Sequence, residues 1–157
     1  MIGKLAAITV AAAVAAGAVF LGWQESDKPG ALFRPDDAQV VASGEAIYGT
    51  YCASCHGADL KGEADWRSRD ADGFLPAPPH DETGHTWHHP DELLFAITKF
   101  GVAKASGLDN YQTKMPVYDG TLSDEEIVAV LSYLKAQWPD AVRKRHDDLN
   151  ANYARQK

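Results

Sequence analysis

A chain of 157 residues, 45% hydrophobic and 24% charged, has room for one small domain with appendages and not for two full domains. Its net charge of −7 argues against nucleic acid as a partner, because phosphate neutralisation needs a basic surface. The only two cysteines, Cys52 and Cys55, are too close together to staple a fold by a disulfide and too few for a structural zinc site, which takes four ligands.

The first element predicted is apolar. Residues 5–22 (LAAITVAAAVAAGAVFLG) carry no charge; Lys4 precedes them and a polar stretch follows Trp23. About 20 such residues span a bilayer as a helix, and the positive charge before them places that end in the cytoplasm. Two readings stay open. The run is a transmembrane anchor, or it is a signal peptide cleaved after Ala16-Gly17-Ala18, although Val19-Phe20-Leu21 continues the apolar stretch past that point. Both export the remainder, and the expected location is a bacterial inner membrane with the domain facing the periplasm. The organisation that follows is an anchor or signal segment over 1–23, a Pro- and Gly-containing linker over 24–37, a domain over 38–139, and a tail over 140–157.

Within the domain, a helix is predicted from Ala38 to Tyr51, where Val40, Val41, Gly44, Ile47, Tyr48 and Tyr51 recur at helical spacing. It runs into Cys52-Ala53-Ser54-Cys55-His56. Residues 57–88 have no period and read as a long loop. A second helix is predicted to begin at Pro90 and to stop at Gly101, with Leu93, Leu94, Ile97 and Phe100 on its apolar face. A third is predicted over 124–137, opened by the capping box Ser123…Glu126, with Ile127, Val130, Leu131 and Leu134 as its buried stripe. Residues 140–153 are predicted as a further helix with Val142, Leu149 and Tyr153 on one face. Strand signals are nearly absent, so the expected class is all-α.

The Cys-x-x-Cys-His pentapeptide is the chemical signature. Two thiols at i and i+3 share one helix face and can add to the vinyl groups along one edge of a haem, and the adjacent His56 can then ligate the iron. The expected cofactor is one haem c, covalent through Cys52 and Cys55. A sixth ligand is sought elsewhere. Met115 is the only methionine besides Met1, and Pro116 after it disfavours helix at that position. A His56/Met115 pair would fill both axial positions and raise the reduction potential. Four of the six histidines cluster in the loop as His80, His85, His88 and His89; loop packing is favoured for them over a second metal site or competition for the iron.

With these residues the chain resembles the class I cytochrome c family over about residues 40–138. Gly44, Tyr48 and Cys52 match the family's glycine, aromatic and first cysteine at steps of four. Tyr133-Leu134-Lys135 matches the aromatic-Leu-Lys stretch of its last helix, and Met115 falls 59 residues after His56, as the family's methionine strap does. The resemblance implies that the first and last helices cross at Gly44, beside Tyr48 and Tyr133. It implies a non-enzymatic carrier of single electrons whose partners are redox proteins or membrane respiratory complexes. A fixed cytochrome subunit of a larger membrane oxidoreductase is the alternative, and a metal-handling protein using the His80–His89 loop a further one. Lys99, Lys104 and Lys114 against Asp109 make residues 93–118 locally basic, which reads either as a steering rim or as solvated lysines.

Overall fold

A computed structural model describes residues 30–157, so the anchor or signal segment predicted over residues 1–23 lies outside the described residues. The described residues hold six α-helices and one 3-10 turn, with no named strand and a single isolated bridge between Asp119 and Leu122. No helix among them is long and apolar enough to cross a membrane. The all-α class is as the sequence predicts.

Helix α1 (Ala38–Tyr51) starts at Asp37, whose side chain accepts from the backbone N–H groups of Gln39 and Val40. After Cys52 the chain resumes helix for one turn as α2 (Ala53–His56). Helices α3 (Asp91–Phe100) and α4 (Val102–Ser106) are separated by Gly101 in the left-handed half of φ, at φ +87°. Helix α5 (Asp124–Ala136) begins at Ser123 with both halves of its capping box formed. Helix α6 (Asp140–Ala154) follows Pro139.

The principal packing is α1 against α5, and Gly44 is what lets it occur. A Cβ on Gly44 would lie 2.0 Å from the Ala129 carbonyl oxygen and 2.8 Å from Tyr133 Cβ, so the two backbones meet where only hydrogen fits. Tyr48 and Tyr133 lie beside the crossing with ring centroids 5.5 Å apart. Ile127, Val130, Leu131 and Leu134 of α5, Tyr48 of α1, Leu94 of α3, and Phe33, Leu60, Tyr118 and Leu122 from the connections form one core.

One boundary needs correction, and two elements add to the sequence reading. Pro90 is the residue flanking α3 rather than its first helical residue. Asp91 takes that place: Pro90 is extended, at ψ 155°, with its carbonyl accepting from Leu93 and Leu94 N–H, and the Asp91 N–H is taken outside the helix by Asn150 Oδ1 at 2.8 Å. Helix α4 was not predicted, being only five residues long. Helix α6 is present as predicted; its buried residues are His146 and Asn150, with Val142 and Leu149 half-buried and Tyr153 exposed. The inward face of α6 is polar because it docks on a charged hub. Asp91, fully buried, accepts the N–H groups of Leu32 and Phe33 at 2.7 and 3.0 Å and the Asn150 side-chain amide at 2.7 Å. The buried Lys135 ammonium lies 3.9 Å from Asp91 and 2.8 Å from Asp147. Thus α6, the start of α3, the end of α5 and the incoming chain are joined by one buried ionic network.

Candidate functional site

Cys52 and Cys55 are free thiols at the α1–α2 junction, Cys52 partly buried and Cys55 exposed. Burial, reinforced by the neighbouring Cys55, pushes the Cys52 thiol up to about 11. A redox-active Cys-x-x-Cys pair needs a stabilised thiolate. Here burial opposes one at Cys52.

His56 is buried at the end of α2, and its Nδ1 lies 2.8 Å from the Pro78 carbonyl oxygen. Burial lowers its pKa, with the Pro78 bond opposing, so the ring is neutral; a proton held on Nδ1 by that carbonyl leaves Nε2 as a free lone pair. The Pro78 carbonyl is brought there by pairing within the long loop. Gly62 N–H donates to His56 O, Glu63 N–H to Ala77 O, and His80 N–H to Leu60 O, at 2.8, 2.9 and 2.7 Å. Gly62 sits at φ +66°, with room for no Cβ, since one would come within 2.5 Å of the Ala77 carbonyl. Leu60 holds a positive φ of 66° despite its side chain, a strained setting of order 1–3 kcal/mol that turns its carbonyl onto His80.

Met115 lies in an irregular strap, partly buried and packed against the same core cluster as Cys52 and Ala53. Its N–H is taken by Thr113 Oγ1 at 3.0 Å. The strap is pinned at its far end, where Tyr118 N–H and Asp119 N–H donate to the Thr98 and Lys99 carbonyls of α3. The Tyr118 hydroxyl reaches across to the Tyr51 carbonyl at 2.8 Å, joining the strap to the end of α1 beside the cysteines. The Tyr48 hydroxyl does the same for Gly57 O at 2.7 Å, closing α2. The sequence offered no signal for these two tyrosine bonds, which link residues far apart in the chain or across a turn.

The histidine loop separates into different environments. His80 stacks on His56 with ring centroids 4.0 Å apart and planes 25° from parallel. Two imidazoles ligating one metal approach it through their nitrogens from opposite sides, so this face-to-face pair does not share an iron. Burial holds His80 well below its ordinary pKa, and His56 and His85 add to the effect. His85 stacks on Trp66 and meets the edge of His89, while His88 stacks on Trp87. No group of three or more His, Cys, Asp or Glu side chains converges to hold a metal ion among the described residues.

Two of the three lysines of the locally basic stretch are paired with carboxylates. Lys99 bonds Asp124 and Lys114 bonds Asp70, carboxylates outside the stretch that looked basic in sequence. Of the three lysines only Lys104, over the Phe100 ring, has no carboxylate partner among the described residues.

The donor set suits a haem. It offers a neutral buried imidazole with its far nitrogen tethered, two unbridged thiols beside it, and a thioether in the same apolar cluster. Fold and site together define a c-type cytochrome domain. The family model for cytochrome c oxidase, cbb3-type, subunit III matches residues 39–134, more than half of the chain, and the chain belongs to that family. The match runs from α1 to the last turns of α5 and takes in the cysteine motif and Met115; α6 lies beyond it. No curated protein and no solved structure matches the chain. The protein is a haem-c electron-transfer protein by family.

Proposed function

We propose that this protein is a mono-haem carrier moving single electrons between respiratory partners on the periplasmic side of a membrane, to which residues 5–22 hold it. In this reading Cys52 and Cys55 form the thioether links, and His56 and Met115 are the axial ligands. The haem, when bound, supplies a one-electron couple with no change in the protein's covalent structure. The chain's residues do the rest. Pro78 keeps the His56 tautomer fixed, the core around Leu94 and Tyr118 excludes water, and the pinned strap holds Met115 in one place. With both axial positions filled by protein, no substrate reaches the metal, so the role is transfer rather than catalysis. The observation that carries the reading is the junction of Cys52, Cys55 and His56 with Met115 packed against the same core. Optical spectra of the purified protein test it. A covalent haem c with a low-spin ferric form and the near-infrared band of methionine ligation supports it; a spectrum without that band overturns the Met115 assignment.

A second reading has its own support. The family description names an oxidase subunit, and α6 is a docked helix outside the matched span. As a fixed subunit of a membrane oxidoreductase, the chain would use the outer side of α6 for assembly. Purification in mild detergent separates the two, since a stoichiometric partner supports the subunit and a monomeric cytochrome supports the carrier.

A further inference from the structure

We propose that His80 is a positioning residue for His56, fixing the plane of that imidazole and thereby its electronic coupling to the haem iron. The inference rests on the reading of His56 as a haem ligand.

A ligand imidazole has one soft freedom, rotation about the bond from its Nε2 to the metal. The hydrogen bond from Nδ1 to the Pro78 carbonyl fixes the tautomer and the general direction of the ring. Carbonyl acceptors tolerate a broad range of approach, so that bond leaves the rotation loosely held. A flat group against the ring face removes this freedom, because rotation drives one edge of the imidazole into it. His80 is such a group, at 4.0 Å and nearly parallel.

His80 is held more tightly than a stacking partner needs to be. Its Nδ1 lies 2.9 Å from the hydroxyl of Thr86, a residue buried in the 3-10 turn Thr86–His88. Its N–H donates to Leu60 O at 2.7 Å. Its carbonyl accepts from Trp138 Nε1 at 2.8 Å, and its ring meets the edge of Tyr48. The loop and the residue beyond α5 therefore fix the His80 backbone, while the 3-10 turn and α1 hold its ring, one face of which lies against His56. Groups that orient a metal ligand tune the metal through it. The imidazole plane selects which iron orbital it overlaps, so it governs the spread of g values of a low-spin ferric haem and contributes to the potential.

The test uses the full chain as holoprotein. Electron paramagnetic resonance of the ferric form and the midpoint potential are measured for wild type, His80→Ala, His80→Phe, Thr86→Val and Glu82→Ala, an exposed control on the same loop. The expected result is a changed g spread and a shifted potential in His80→Ala, recovery toward wild type in His80→Phe, which refills the slot with a flat ring, and an intermediate change in Thr86→Val. Wild-type signals in His80→Ala overturn the proposal, and so does a Phe variant no closer to wild type than Ala. Should His80→Ala fail to assemble, Thr86→Val keeps the ring and decides alone; an unchanged g spread there overturns the proposal. A wild-type protein without covalent low-spin haem would instead remove the ligand reading, before any variant is made.

Discussion

Replacing Gly44 by alanine tests the helix crossing on which the site is built. The added methyl would stand 2.0 Å from Ala129 O, 2.6 Å from Ala129 C and 2.8 Å from Tyr133 Cβ. Ordinary contact begins at 3.4 Å, so α5 must withdraw by 3.4 − 2.0 = 1.4 Å or the chain must bend. The obstruction is helix backbone, which cannot rotate away as a side chain would. Overpacking of this kind costs about 1–3 kcal/mol, and occasionally more. Alanine's better helix propensity returns about 1 kcal/mol. We expect the upper end of the range to apply and a net loss of about 2 kcal/mol, or a Tm lower by roughly 8 °C for a domain of this size. Gly49, five residues along the same helix, has nothing within 4 Å of its virtual Cβ. Gly49→Ala should therefore raise stability by about 0.5–1 kcal/mol. Thermal unfolding of the two holoprotein variants, followed by far-ultraviolet circular dichroism, gives opposite signs. Equal stability of Gly44→Ala and wild type would refute the close crossing.

Further outcomes follow from the same contacts. Asp91→Ala leaves two backbone N–H groups and the Asn150 amide without their buried acceptor and takes one of two carboxylates from beside Lys135, and should cost about 3–5 kcal/mol in denaturant unfolding; a loss under 1 kcal/mol would show that the hub is solvated. His146 is buried beside Asp91, Lys135 and Asp147, and burial, with Lys135 next, lowers its pKa below the ordinary 6.5. The unfolded chain then binds a proton that the folded one refuses. Stability due to His146 is thus complete above pH 6.5 and declines as pH falls from there toward the depressed folded value, at no more than about 1.4 kcal/mol per pH unit. Stability curves for wild type and His146→Gln should diverge in slope below pH 6.5, since His80, His85 and His89 titrate in both; parallel curves would contradict the assignment. Met115→Ala should abolish the near-infrared charge-transfer band while leaving haem attachment intact, and an unchanged spectrum would place the sixth ligand elsewhere. Because Lys99 and Lys114 are already paired, replacing either with glutamine should change partner oxidation rates less than twofold across a salt series; a steep salt dependence lost in those variants would restore the basic rim.

What the sequence disclosed and what it withheld divide along physical lines. Local rules were readable. The Ala38–Tyr51 helix, the Ser123–Glu126 box and the four-residue steps of Gly44, Tyr48 and Cys52 depend on spacing within a helix. The inner face of α6 was not readable, because His146 and Asn150 look like solvent-facing residues until Asp91 and Lys135 are brought to them from positions far away in the chain. The pairing of Lys99 and Lys114 was hidden for the same reason, their partners Asp124 and Asp70 lying outside the segment over which charge was counted. His80 stood in a run of histidines with no period, and nothing local distinguishes it from His85 or His88. Its contact with His56 arises from the pairing of residues 60–63 with 77–80, closed by a positive φ at Leu60 and Gly62 that the sequence marks only at the glycine.

A redox titration of the purified full-length protein, followed by optical spectra, bears most directly on the central claim. We predict one covalent haem c, a single one-electron transition, and a His/Met spectrum in the ferric form that persists through the titration. Absence of covalent haem, a second redox centre, or a high-spin ferric form open to exogenous ligands would contradict the account of a closed electron-transfer site.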